Sequence, residues 1–235
     1  TPQSFIEQAR IQGLQTSTAV SFPTMGRAEE GRGGASKLVS LKVVDQAYPL
    51  RGRLTVAQSA DSPGAPTRDV PAPGEVWVDP QLLDALSLSV GDMLLLGDAR
   101  LRIGRIIVIE PDRGGGFMNF APRVMLNQVD LAGTRLVQPA SRLNYRFAVA
   151  GEEAQAQRFA QWATREVEKP EVRGVRVESL ETGRPEMRQT MDRAEKFLNL
   201  VALLAAMLSA VAVALAARGF AANHLDDCAM LRVLG

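Results

Sequence analysis

The sequence has very few of the residue types that build disulfides, metal sites and hydrolase active sites. Its 235 residues include one cysteine and one histidine, Cys228 and His224. One cysteine excludes a disulfide framework within the chain and any CxxC or zinc-finger arrangement. With a single imidazole, neither a His/Cys metal site nor a Ser-His-Asp triad is expected. We therefore expect this chain to hold no catalytic residues, no metal and no cofactor.

An excess of charge of either sign is also missing. The chain carries 27 Lys and Arg against 26 Asp and Glu, a formal net charge of +1. No surplus of basic residues exists to displace counterions from phosphates, so nucleic acid is not an expected partner. With 46% hydrophobic and 23% charged residues, the composition is that of a globular protein. The length suits one large domain or two small ones.

A phosphate-binding loop of the ATPase kind is absent from the sequence. The segment DRGGGF at 112–117 has consecutive glycines whose N–H groups could hold an anion. It lacks the GxxxxGK[ST] pattern, which occurs nowhere in the chain. We interpret this segment as a flexible loop and expect the chain not to hydrolyse ATP.

One long apolar run is present near the end of the chain. Residues 197–217, FLNLVALLAAMLSAVAVALAA, contain no charged residue. About 20 such residues cross the roughly 30 Å hydrocarbon core of a bilayer as a helix. Its many small residues favour close packing against other membrane helices. The candidate packing positions are Ala206, Ser209, Ala210 and Val213.

The residues before this run predict a mixed α+β domain with short strands and helices. Alternating or apolar runs predict strands at 15–22 (ended by Pro23), 38–44, 54–57, 75–78, 93–96, 101–109, 124–126, 145–149 and 175–177. Helices are predicted from Ser4, as the N-cap of a capping box with Glu7, to about Leu14, then from Pro80 to 88, over 152–167 and from Pro185 onward. Gly97-Asp98 predicts a hairpin turn, and 26–36 and 58–74 are expected to be surface loops.

Two polar segments could suggest chemistry. Asp45 and Arg51 belong to a turn around Pro49, and we expect Arg51 to pair with an acid such as Asp45 rather than take part in catalysis. Glu110 and Asp112 could form a carboxylate pair for acid–base work. They flank Pro111 after a strand, so exposed loop charges are the simpler interpretation.

The tail beyond the apolar run continues as a helical pattern. His224 and Cys228 are four residues apart, but two ligands alone make a weak metal site. A helix lying in the lipid interface usually has Lys and Arg on its polar face, whereas this one has Asp226 and Asp227. Docking of its apolar side into a groove of a partner protein is the preferred interpretation. That side is formed by Leu225, Cys228, Leu231 and Leu234.

Several ordered segments resemble one family. VDPQLLDALSLSVGDMLLLGDARLRIGRIIVIEPD at 78–112 resembles the extracytoplasmic domain of FtsX-like, MacB-type ABC transporter permeases. VSLKVVDQAYPLRG at 39–52, SFPTM at 21–25, EPDRGGGF at 110–117 and APRVMLNQVDLAGTRLVQPASRLNYRF at 121–147 are similar to the YbbP branch of ABC export permeases. The tail AMLRVLG resembles the family's short cytoplasmic helix after a membrane span.

This resemblance implies an organisation and a set of partners. It implies a periplasmic α+β domain over 1–182, a stalk and membrane helix over 183–217, and the start of a cytoplasmic coupling helix over 218–235. The permease would lie in the bacterial inner membrane, contact its lipid and have further membrane helices, with a homodimer left open. A separate ABC ATPase subunit would bind ATP and Mg²⁺ and drive export or extraction of a hydrophobic substrate. The expected ATPase-coupling interface is Leu225, Asp227, Cys228, Leu231, Arg232 and Leu234.

Other interpretations stay open from the residues. The same scaffold serves lipoprotein release in Lol-type permeases, and a membrane-anchored periplasmic sensor would also combine a soluble domain with one span. A tethered hydrolase would need a nucleophile–base pair, which the sequence does not offer. Basic residues are denser before the span than after it, which alone would place the domain in the cytoplasm. Because long domains translocate largely regardless of charge, the resemblance decides the orientation.

Overall fold

The computed structural model describes residues 3–113, 121–138, 141–169, 174–178 and 185–234. In the last helix, side chains are described over 194–221. The chain divides into two compact units, Thr1–Val172 and Arg173–Gly235. The boundaries 182, 217 and 218 expected from the resemblance stay predictions.

The first unit is a mixed α+β fold, which confirms the predicted fold class. Its helices are α1 (Gln3–Ile11), α2 (Pro80–Leu86), α3 (Leu131–Thr134) and α4 (Glu153–Val167). Its strands are β1 (Gln15–Ala28), β2 (Ser36–Val44), β3 (Leu54–Ala57), β4 (Ala65–Thr67), β5 (Glu75–Val78), β6 (Met93–Leu96), β7 (Ala99–Ile109), β8 (Arg123–Asn127) and β9 (Asn144–Ala150). Most of these strands match the predicted ones to within two residues at each end.

Six of the strands pair in a closed ring. The order is β7-β5-β8-β2-β1-β6, and β6 pairs again with β7. Strands β3 and β4 extend the sheet from β7, and β9 pairs with the first half of β1. The ring mixes parallel pairs, β2 with β8 and β5 with β7, with antiparallel ones. Closure leaves each ring strand with a partner on both sides over part of its length.

The inside of the ring is the main hydrophobic core. Strand β2 shows the alternation that fills it, because Val39, Leu41 and Val43 belong to this core and are almost fully buried. Helix α2 adds Leu82 and Leu86 to the same cluster. Full burial of one such side chain contributes about 1.5–3 kcal/mol. A smaller apolar cluster lies on the outer face and consists of Ala19, Val44, Tyr48, Leu54, Val56, Trp77, Ile107 and Met125.

Local sequence explains the turns that connect these strands. Pro80 opens α2 at its first turn, as predicted, and Ser87 caps the helix with φ 52°. Gly97 has φ +56° in the turn between β6 and β7, where Leu96 pairs with Ala99. A positive φ at this position favours glycine over other residues. The predicted hairpin is therefore confirmed.

Pro23 does not end the first strand, contrary to the prediction. Strand β1 continues to Ala28, and Pro23 lies opposite Ser40 of β2. On the other side of β1, β9 pairs only up to Ser21 and β6 only from Gly26, among the residues that the structure describes. Pro23 therefore lies in the part of β1 between its pairing with β9 and its pairing with β6. Its missing N–H removes no ladder hydrogen bond on that side.

Some other local predictions were also wrong. Helix α1 begins at Gln3, so Ser4 lies inside it rather than at its N-cap. The expected loop at 26–36 contains the end of β1 and a 3₁₀ helix, Glu30–Arg32. The expected loop at 58–74 contains β4. Residues 175–177 form no strand.

Helix α4 packs on α1 through the apolar face that the sequence predicts. Phe159 and Ala163 are buried, and the Trp162 ring lies 5.6 Å from the Phe159 ring between centroids. Trp162 also meets Phe5 of α1 edge-on at 5.1 Å. Glu152 and Gln155 form a reciprocal capping box at the start of α4. Aromatic contacts thus join the two helices.

The described residues of the second unit include a continuous helix, α5, which covers Pro185–Leu234. Its start at Pro185 was predicted. The segment Ala194–Ala221 has 28 residues and a mean hydropathy of 2.6, and none of its apolar stretch is buried in the structure. It is long and apolar enough to cross a membrane, by length and composition. At 1.5 Å per residue, the whole helix is about 75 Å long.

Candidate functional site

A cluster of buried charged side chains lies on the outer face of the ring. Its basic members are Lys42, in the middle of β2, and Arg123, at the start of β8. Ser40 pairs with Arg123 in the parallel β2–β8 register, so Ser40, Lys42 and Arg123 share one face. Glu110 follows β7 directly and completes the centre of the cluster. Three separate strands therefore bring these charges together.

Glu110 bridges the two basic residues. Its Oε1 lies 2.7 Å from Nζ of Lys42, and its Oε2 lies 2.9 Å from Nε of Arg123. The side chains of Glu110, Lys42 and Arg123 are 0%, 5% and 7% exposed. Arg123 also donates to the hydroxyl of Ser40. Both carboxylate oxygens of Glu110 are thus paired with a cation inside the protein.

Tyr48, which is buried, and Asp112, which is half-buried, form the rim of the cluster. Lys42 Nζ lies 2.8 Å and 2.9 Å from the two Asp112 oxygens and 3.0 Å from the Tyr48 hydroxyl. Tyr48 donates to Asp112, and Arg146 approaches it at 3.7 Å. Burial raises the pKa of Tyr48 far above its usual range, and the charge of Asp112 adds to the effect. Burial pushes the pKa of Asp112 upward, but Lys42 and the hydrogen bond from Tyr48 lower it below its usual value.

Asp79 extends the network on the side of α2. Arg113 approaches it end-on, with Nη1 3.1 Å from Oδ1 and Nη2 2.7 Å from Oδ2. The backbone N–H of Arg123 donates to Oδ2 of Asp79 at 2.8 Å. The hydrogen bond to Asp79 raises the pKa of the Arg113 guanidinium. Asp79 therefore holds both ends of the segment between Arg113 and Arg123.

These contacts indicate that the cluster holds chain segments together rather than performs acid–base chemistry. The carboxylates of Glu110, Asp112 and Asp79 are all paired with cations, and Tyr48 stays protonated at physiological pH. A general base needs a free lone pair beside a substrate proton. Within the described ranges, no group of three or more His, Cys, Asp or Glu residues could hold a metal ion.

The sequence interpretation of two polar segments was wrong here. Glu110 is buried and Asp112 half-buried, so they are not exposed loop charges. Arg51 donates to the carbonyl of Gly151 at 3.3 Å instead of pairing with Asp45. Asp45 accepts hydrogen bonds from the hydroxyls of Ser17 and Thr18. The signal for the cluster was Lys42 itself, a charge within the apolar strand LVSLKVV.

The predicted membrane-packing and ATPase-coupling residues lie on α5 and do not belong to the buried charge cluster. Ala206, Ser209, Ala210 and Val213 are exposed on α5, and the Ser209 hydroxyl donates to the Ala205 carbonyl at 2.8 Å. The side chains of Leu225, Asp227, Cys228, Leu231, Arg232 and Leu234 lie outside the described residues, although the helix backbone reaches Leu234. The side chain of His224 also falls outside them, as do the glycines at 114–116.

Comparison with known proteins confirms the resemblance drawn from the sequence. No family model matches the chain. Over its whole length, however, the chain is homologous to a segment of an ABC transporter permease. The relative is the "Uncharacterized ABC transporter permease YbbP" of Escherichia coli (strain K12), with 35% identity over 234 residues and 100% of this chain. The chain spans 27% of that relative, about a quarter of its length.

A solved structure is also similar. It is the extracellular domain of the noncanonic ABC-type transporter YknZ from Gram-positive bacteria. The match has a TM-score of 0.47 and 11% identity, and covers 75% of this chain and 86% of that one.

Proposed function

We propose that this chain is part of the permease subunit of a bacterial ABC transporter, and that it works in the inner membrane. The observation that carries the proposal is the 35% identity over the full chain with a permease of that class. The order of parts supports it, because an α+β unit precedes a helix with a 28-residue apolar segment. In this role the chain is a non-catalytic transport subunit.

The proposed division of labour follows the order of the chain. Residues 1–182 form the extracytoplasmic domain, 183–217 the stalk and membrane helix, and 218–235 the start of the coupling region. Residues Ala206, Ser209, Ala210 and Val213 pack against further membrane helices of the same permease. Their spacing of i, i+3, i+4 and i+7 places them on one side of α5, and all four are exposed.

A separate ATPase subunit supplies the energy in this proposal. The chain has no GxxxxGK[ST] pattern with which to bind ATP itself. The coupling interface consists of the apolar positions Leu225, Cys228, Leu231 and Leu234 with Asp227 and Arg232 beside them. Nucleotide-driven movement of the ATPase would reach the extracytoplasmic domain along α5 and drive export or extraction of a hydrophobic substrate.

Reporter fusions to the full-length permease test the orientation. Alkaline phosphatase, which is active only outside the cytoplasm, is inserted after residue 178 in one fusion and after residue 234 in another. We expect activity from the first fusion only. Green fluorescent protein inserted at the same two positions is the matched control, because it fluoresces when the position is cytoplasmic, and should give the opposite pattern.

The reverse pattern would place the α+β unit in the cytoplasm and contradict the proposal. Equal activity at both positions would show that α5 does not cross the membrane, and would also contradict it.

A further inference from the structure

A cleft of about 460 Å³ lies in the first unit, where the start of β1, the turn after β2 and the segment after β4 come together. Its volume falls in the range of sites that hold small molecules. The turn lines the cleft with Tyr48, Pro49 and Leu50. Because the Tyr48 hydroxyl is bound to Lys42 and Asp112, these three residues present an apolar surface to the cleft.

Arg68 carries the one full charge among the described residues that line this cleft. It is exposed, and its side chain forms no ion pair or hydrogen bond with the residues that the structure describes. The neighbouring acid, Asp69, lies 3.6 Å from Arg105 instead. All five N–H donors of the Arg68 guanidinium group are therefore available to a ligand.

Arg51 brings a second guanidinium group to the edge of the cleft. It follows Leu50, which lines the cleft, and its Nη2 donates to the carbonyl of Gly151 at 3.3 Å. Gly151 directly follows Ala150, which is the partner in β9 of Gln15, another lining residue. Since a carbonyl is neutral, the positive charge of Arg51 also has no counter-ion within the described part of the chain.

The acidic residues nearest in the chain are engaged elsewhere. Asp45 accepts hydrogen bonds from the hydroxyls of Ser17 and Thr18. Glu152 accepts one from the backbone N–H of Gln155 at the start of α4. Neither carboxylate forms an ion pair with an arginine of the cleft, and among the described lining residues there is no Asp or Glu. The cleft thus combines two positive charges with no negative one.

The remaining polar groups of the cleft are neutral donors with unused capacity. The carboxamides of Gln15 and Gln46 and the hydroxyl of Thr16 line it, and they form no hydrogen bond with described residues. A phosphate monoester carries about −1.5 to −2 charges at pH 7 and offers three acceptor oxygens, so it matches both the two cations and the additional donors. A carboxylate has one charge and two oxygens, which would leave one cation without compensation.

We propose that this cleft binds a phosphate group. Arg68 and Arg51 donate charge-assisted hydrogen bonds to its oxygens, and Gln15, Thr16 and Gln46 donate neutral ones. The same contacts suit a soluble phosphate ester and the terminal phosphate of a lipid head group. The proposal does not depend on the transport role, because it rests on the charges of the first unit alone.

Calorimetric titration of the full chain tests the proposal. The chain is purified in dodecyl maltoside micelles, which contain no phosphate, and is titrated in Tris-chloride buffer with glycerol 3-phosphate. Glycerate is the matched ligand, because it has a carboxylate in place of the phosphate on a similar short hydroxylated chain. We expect glycerol 3-phosphate to bind about 10-fold or more tightly than glycerate, since charge-assisted hydrogen bonds are the strong ones.

Three substitutions, each of which removes one positive charge, locate the binding. Arg68→Gln and Arg51→Gln should each weaken binding of glycerol 3-phosphate about 10-fold, because each removes hydrogen bonds from a charged donor. Arg27→Gln is the control and should leave binding unchanged. Arg27 is exposed and lies about 36 Å along β1 from Thr16, at about 3.3 Å per residue.

A third ligand distinguishes the two sources of phosphate. Dihexanoyl phosphatidic acid carries the same phosphate group on a short-chain lipid. If it binds about 10-fold more tightly than glycerol 3-phosphate, and this gain is lost in Arg68→Gln, the site takes a lipid head group. Any other result for the lipid, with glycerol 3-phosphate bound, assigns a soluble phosphate ester.

Both arginines of the cleft are exposed, so neither substitution disturbs the core. Circular dichroism checks that each variant is folded, and if one is not, the other provides the test. Equal affinity for glycerol 3-phosphate and glycerate would overturn the proposal. Equal effects of Arg68→Gln and Arg27→Gln would overturn it too, as would no binding of glycerol 3-phosphate at millimolar concentration.

Discussion

The Nζ atom of Lys42 lies 2.7 Å from Oε1 of Glu110, and the Glu110 side chain is fully buried. Glu110 also holds Arg123, so one carboxylate connects β2 and β8 to the end of β7. A buried ion pair adds little net stability compared with apolar residues of the same size, but removal of one partner leaves a buried charge without compensation. The predictions for the cluster follow from this asymmetry.

Glu110→Ala should lower the free energy of unfolding by about 3–5 kcal/mol, because Lys42 and Arg123 would lose a buried partner. Urea unfolding of the full chain in detergent micelles measures this through tryptophan fluorescence, since Trp77 and Trp162 both lie in the first unit. Asp98→Asn removes one partner of an exposed pair, Arg135 with Asp98, and should cost about 0–1 kcal/mol. A loss at Glu110 no larger than at Asp98 would contradict the role of the cluster.

Asp112→Asn should reduce the loss of stability in acid. The pKa of Asp112 is lowered in the folded protein, so the unfolded chain takes up this proton first as the pH falls. Its contribution is complete above the ordinary aspartate pKa of about 3.9 and is lost as the pH falls through the lower folded value. The variant should therefore be less stable at pH 7 and show a flatter decline below about pH 4.

The measurement is urea unfolding at a series of pH values from 7 to 2. Asp61→Asn, at an exposed position, controls for the loss of one negative charge. If the Asp112 variant and the parent chain declined in parallel below pH 4, Asp112 would not contribute to the acid dependence.

Gly97→Ala should destabilise the first unit much more than Gly13→Ala. Both glycines have positive φ, +56° and +69°, so alanine is disfavoured by about 1 kcal/mol at each. A Cβ at Gly97 would also meet the carbonyl of Thr134, whereas nothing lies within 4 Å of one at Gly13. We expect the substitution at Gly97 to cost about 1–3 kcal/mol more. Thermal unfolding of the two variants compares them, and equal melting temperatures would show that the contact with Thr134 relaxes freely.

Leu231→Asp should uncouple the permease from its ATPase if the proposed function is correct. The charge would fall in the apolar side of the tail helix that is proposed to dock on the ATPase. Val233→Asp is the matched control, because two helical positions turn the side chain by about 200° to the other side. The activity of the purified ATPase subunit is measured alone and in complex with each permease variant. Loss of stimulation in both variants, or in neither, would argue against this interface.

Local pattern predicted much of this fold. Strands β3, β5 and β6 and the start of α5 at Pro185 match the sequence prediction, because flanking glycines, prolines and alternating apolar residues determine them within a few positions. The sequence could not predict pairing between distant strands. The contact of Gly26 with Leu96 closes the ring, and no residue near either position encodes the other.

The buried cluster was missed for the same reason. Lys42 and Glu110 are 68 positions apart, so the charge of Lys42 within an apolar strand was a signal in the sequence that did not identify its partner. The strand at Pro23 was cut short in the prediction because the effect of proline depends on whether its side of the strand has a partner there. That depends on β6 and β9, which come much later in the chain.

The ring has a consequence during protein synthesis. Strand β1 is synthesised early, and β2, its partner on one edge, follows directly in the chain. The partners of its other edge are β6 and β9, which are synthesised later, and β9 begins at Asn144. At a ribosome speed of about 5–20 residues per second, the roughly 115 residues between the end of β1 and the start of β9 take about 6–23 s to synthesise. For that time the nascent chain exposes an unpaired strand edge beside growing apolar segments, which is the condition in which chains associate wrongly. Rapid protection of this edge, by the membrane insertion machinery or by a chaperone, would then decide how much of the protein is produced correctly.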